Sequence, residues 1–122
     1  MAGELVPLVM LPRYSTFAGA TTFTTIAMDV TEYSKAILNV WRGPMSVGDG
    51  FALRCQESTD GTNWSDCVPV SPTTWPVDPG ADTEAQYEAE LRKRWFRVEL
   101  IVTGSDPTVS CWAVGFLERR ES

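Results

Sequence analysis

The sequence predicts an all-β fold, an antiparallel β-sandwich or jelly roll with an extended N-terminal arm and at most one short helix. Three observations carry this. Successive segments alternate apolar and polar residues with a period of two, Gly- and Pro-rich stretches separate them, and no repeated crossover helix links one to the next. With 122 residues, 43% of them hydrophobic, the chain has material for one core and no room for two enzyme domains.

Met1 to Ala20 hold neither a strand nor a helix period for long, because Pro7, Pro12 and Gly19 interrupt them, and they read as an extended arm. Leu5, Val6, Leu8, Val9, Met10 and Leu11 are too apolar for a solvated tail. The arm is therefore expected to lie against the domain's own sheet or against a neighbouring subunit. The sandwich proper is expected over residues 21–118, followed by a short charged tail, 119–122.

From Thr21 the alternation is regular. Ile26, Met28 and Val30 point one way. Ala36, Leu38 and Val40 then oppose Ile37, Asn39 and Trp41, and Phe51, Leu53 and Cys55 oppose Ala52, Arg54 and Gln56, as in strands with one wet face. Asp60-Gly61 predicts a tight hairpin turn, because such turns need positive φ where Asp and Gly tolerate it. Trp64 would then lie across the preceding strand and cover its apolar side chains.

Pro69, Pro72, Pro76 and Pro79 make Val68 to Ala81 a long loop, with Trp75 either on a binding surface or lidding the core. Thr83 to Arg94 reads as a short helix capped by Asp82 or Thr83. Its Glu, Ala, Gln, Leu, Arg and Lys are helix formers, and Glu88–Arg92 and Glu90–Arg94 are i,i+4 pairs; Tyr87, Ala89 and Leu91 also fit a strand. Phe96, Val98, Leu100 and Val102 form the next strand. Val109 to Leu117 form the last, with Cys111 and Ala113 opposed to Trp112, Val114 and Phe116.

Composition narrows the chemistry. There is no histidine, which excludes His-based triads and HExxH metal sites. Sixteen acidic against ten basic residues, net −6, disfavour a phosphate backbone as main partner. Arg92-Lys93-Arg94 with Arg97 and Trp95-Phe96 could clamp a single strand, but pairing with nearby glutamates or an acidic neighbouring subunit is the better reading of that charge. Glu57 with Asp60, and Glu84 with Glu88 and Glu90, are carboxylate clusters that turn propensity and a solvated surface explain without catalysis.

No EF-hand, Walker A, dinucleotide or nucleophile-elbow motif occurs, and no cofactor is expected. Cys55 and Cys111 read as small strand hydrophobes and Cys67 as nearer the surface; three cysteines cannot all pair, which favours a reducing compartment. Asn63-Trp64-Ser65 fits a glycosylation acceptor, but nothing else in the chain supports a secretory route. No apolar run reaches the roughly 20 residues of a membrane helix. Five tryptophans leave a carbohydrate site as a binding alternative.

Three segments, Tyr33 to Val40, Glu57-Ser58-Thr59-Asp60-Gly61-Thr62-Asn63-Trp64, and Arg94-Trp95-Phe96-Arg97-Val98 with the later Gly104 and last apolar strand, resemble the small jelly-roll proteins that decorate or complete tailed-bacteriophage particles. The hairpin motif alone is also similar to fibronectin-type and sugar-binding sandwiches. The resemblance implies a non-catalytic virion protein, assembled in the host cytoplasm and attached to the major capsid protein or to a neck or tail protein, with homo-oligomerisation expected. Leu5 to Leu11, Trp75 and Arg94 are its expected assembly contacts, and Asp60, Gly61 and Trp64 its turn and packing residues. Deleting Met1 to Leu11 is then expected to free the protein from particles with its circular dichroism nearly unchanged.

Overall fold

The computed structural model describes residues 4–120. Nine strands follow one another: β1 Leu5–Ala18, β2 Thr21–Thr24, β3 Met28–Asp29, β4 Tyr33–Arg42, β5 Gly50–Ser58, β6 Ser65–Asp66, β7 Thr83–Glu90, β8 Trp95–Thr103 and β9 Thr108–Arg119. One sheet has the order β1-β9-β4-β7; the other has β2-β8-β5-β6, with β3 also on β8. If β2 and β3 count as two pieces of one strand, first pairs with last, second with second-last, and so inward to β5 with β6. That nesting is a long antiparallel hairpin rolled into two sheets, the order of a jelly roll.

The alternation set out above places the core. Ala36, Leu38 and Val40 of β4, Phe51, Leu53 and Cys55 of β5, and Phe96, Val98, Leu100 and Val102 of β8 all turn inward and are buried, together with Val109, Cys111, Ala113 and Leu117 of β9.

The N-terminal segment is corrected. Residues 5–18 are an edge strand of the sandwich rather than a separate arm, paired with β9 from Leu5↔Glu118 to Ala18↔Thr108; Met1 to Gly3 lie outside the described residues. Irregularities between Val9 and Leu11 and between Leu11 and Ser15 break the period of two, so Leu8 and Leu11, three apart, both enter the core. The C-terminal boundary moves as well. β9 runs to Arg119, and Arg120 N–H still donates to the Glu32 carbonyl; Glu121 and Ser122 lie outside the described residues.

Thr83 to Glu90 is a strand, not a helix. β7 pairs with β4 from Lys35↔Glu90 to Trp41↔Glu84, and its other edge is strapped by Val68–Val70, where Val70 N–H donates to the Glu88 carbonyl and Glu90 N–H to that of Val68. Two ladders outweigh helix propensity. The chain between β2 and β3 leaves its ladder, so Ile26 is 91% exposed instead of facing inward with Val30.

Candidate functional site

The two outer faces of the sandwich differ in chemistry. On the β2-β8-β5-β6 sheet the outward side chains pair among themselves: Arg54 bridges Asp66 and Glu99, and Arg97 donates to Gln56 while lying 4.3 Å from the ring centre of Trp64. Trp64 therefore covers a guanidinium on the outer face and not the apolar side chains of β5.

The outer face of the β1-β9-β4-β7 sheet is apolar over its β1 side. Register sets Leu5 beside Glu118 and Lys35, Pro7 beside Phe116 and Ile37, and Val9 beside Val114 and Asn39. Leu5, Val9 and Phe116 are 51%, 61% and 40% exposed. A groove of about 490 Å³ runs between Val9 and Phe116, lined also by Leu8 and Gly115 and flanked by Pro12, Arg13 and Asn39. Gly115 is required there, because a Cβ would overlap the Ile37 carbonyl of the adjoining strand.

An aromatic cluster closes the far end of this face. Trp41 and Trp112, opposed on β4 and β9, stack with centres 4.6 Å apart, and Tyr14 meets both edge-on. Tyr14 reaches them from an irregular part of β1, where its φ is +60°. The Trp112 indole N–H donates to Glu84, and the Arg13 guanidinium lies 4.6 Å from the Trp112 ring centre. Arg13 has no ion pair among the described residues. The opposite end of the patch carries Glu118, which Lys35 approaches at 4.0 Å.

The predicted contact residues divide. Leu5 and Val9 are on the exposed face; Val6 and Met10 are half-buried, and Leu8 and Leu11, at 4% and 3% exposure, belong to the core and are unavailable to a partner. Trp75 is a lid: it packs on the core, and its indole N–H donates to the Cys67 carbonyl. Cys67 is buried, not near the surface. Arg94 is exposed but already bonded to Asp29 and stacked over Trp95.

The Asp60-Gly61 reversal is a loop from Thr59 to Trp64 and not a two-residue turn. Only Gly61 takes positive φ, +78°, while Asp60 accepts the N–H groups of Thr62 and Asn63. The other carboxylate candidates have structural partners too. Glu57 is buried and accepts from the Arg92 side chain and backbone N–H, and Glu88 bridges Lys35. Among the described residues no three Asp, Glu or Cys converge as metal ligands.

No family model matches the chain, and no curated protein matches it in sequence. The apolar face stands on its own geometry.

Sequence reasoning missed Tyr14, Arg13, Val114, Phe116 and the Trp41–Trp112 stack. Their signal was present: Trp112, Val114 and Phe116 occupy three successive outward positions of a strand whose inward positions are also apolar.

Proposed function

We propose that the protein is a non-catalytic structural component of a phage particle, assembled through the β1/β9 face. The observation that carries this reading is the exposed apolar β1/β9 side of one outer face, with Leu5 beside a groove that Val9 and Phe116 line, against the internally paired charges of the other face. A surface repeated by symmetry turns a modest contact into firm attachment.

The patch also suits a second copy of the chain. Leu5, Val9 and Phe116 are exposed along it, so a two-fold neighbour with β1 running antiparallel sets this apolar patch against itself. Contact is by side chains and not by strand addition. Arg119 N–H donates to the Glu4 carbonyl, so residues 5, 7 and 9 turn their backbone groups to the open edge, where Pro7 has no N–H to offer.

Density-gradient purification of particles from a producing culture tests the reading. The chain is expected in the particle band and as an oligomer in sedimentation, with Val9→Glu/Phe116→Glu lost from both and unchanged in circular dichroism. A monomer absent from particles overturns it. A surface glycan is the second reading, favoured by Tyr14, 69% exposed above the stacked tryptophans. Glycan-array binding lost in Tyr14→Ala would select it.

A further inference from the structure

Cys55 and Cys67 are neighbours that their spacing in sequence does not reveal. β5 pairs with β6 at Gln56↔Asp66 and Glu57↔Ser65, so the next step of the register sets Cys55 opposite Cys67, and Cys67 N–H donates to the Cys55 carbonyl at 2.9 Å. Both side chains are buried, each 1% exposed, on the inner side of the sheet. Directly opposed residues of a hydrogen-bonded antiparallel pair stand about 5.5 Å apart at Cα. A disulfide spans roughly 4.4–6.8 Å. Cys111 lies on β9, in the other sheet.

We propose that Cys55 and Cys67 are an oxidisable pair, which a low-molecular-weight disulfide converts into a cross-strand bond that staples the segment after the Thr59–Trp64 loop to β5. In the first step one cysteine, as its thiolate, attacks a sulfur of the reagent, forming a mixed disulfide and expelling one small thiol. The second cysteine then attacks the protein sulfur of that mixed disulfide. The Cys55–Cys67 bond forms, a second small thiol leaves, and the two protein thiol protons end on the two released thiols. The protein loses two electrons and the reagent gains them.

Burial holds the Cys55 and Cys67 thiols in their protonated form, so the reaction proceeds through opening of the loop and not from the closed state. The consequence suits a particle component: a chain made reduced in a cytoplasm gains a staple once outside it. The staple acts mainly by restricting the unfolded chain.

Refolding the full chain in a buffer of reduced and oxidised glutathione, followed by alkylation and peptide mapping, tests the pair without any substitution. The expected product is a single-chain mass lighter by two hydrogens before alkylation, with Cys55 and Cys67 in one linked peptide pair and Cys111 alkylated. Its melting temperature should fall by roughly 5–10 °C when a dithiol reductant is added. Three alkylated cysteines, a linkage that includes Cys111, or chains joined by an intermolecular disulfide would each overturn the proposal.

Discussion

Asp60 is held by four hydrogen bonds, from the N–H groups of Thr62 and Asn63, the Asn63 amide and the Ser58 hydroxyl, and these keep its carboxyl far below the usual carboxylate range. Asp29 is lowered in the same way by the hydroxyl and N–H of Thr31, with Arg94 adding to it. Because the folded values lie below the unfolded one, near 3.9, the stability these groups contribute is complete above that pH and is lost as pH falls through the folded values. Denaturation midpoints should therefore decline below about pH 4, and Asp60→Asn should flatten that decline, as urea titrations across the range would record. Gly115 makes a second prediction at this scale. Gly115→Ala drives a Cβ into the Ile37 carbonyl and should cost about 1–3 kcal/mol in chemical denaturation, parting β4 from β9 locally. The Asp60 turn was legible in the sequence, because Asp and Gly at a reversal have a local reason to be there. Its size was not, since the loop closes only when β5 and β6 have paired.

Among the elements, β1 departs furthest from its local pattern. Read as a chain it has no steady period; paired to β9 with two irregularities, it buries Leu8 and Leu11 and exposes Leu5 and Val9. Removing Met1 to Leu11 would strip two core leucines and leave half of β9 without its neighbour, so the truncated chain is expected to lose its native circular dichroism rather than keep it. Single substitutions separate the two roles of the strand. Leu8→Ala should cost about 2–4 kcal/mol of stability, whereas Val9→Ser should stay within about 0.5 kcal/mol and weaken assembly instead. In β7 and the turn after it, the i,i+4 pairs that favour a helix are made otherwise: Glu88 bonds Lys35 of β4, Arg92 bonds the buried Glu57, and Arg94 bonds Asp29. Arg92→Ala strands a buried carboxylate, whereas Glu57→Gln leaves Arg92 in water, so the first variant is expected to unfold at lower denaturant.

At the scale of the molecule, the first strand pairs with the last, and every nested pair inside it except β5 with β6 joins distant parts of the chain. Loop closure then precedes most of the gain from burial, so refolding followed by tryptophan fluorescence should take milliseconds to seconds. The sequence by itself determined the all-β class, the inward residues of β4, β5, β8 and β9, and the exclusion of histidine chemistry, because period-two alternation and residue inventory are local properties. Tertiary structure decided that β1 belongs to the sandwich, that residues 83–90 extend instead of coiling, that Cys55 stands opposite Cys67, and that the β1/β9 side of one outer face is apolar while the other face pairs its charges. Those outcomes depend on which strands become neighbours, and that is fixed by burial summed over the whole chain rather than by any segment's own preference.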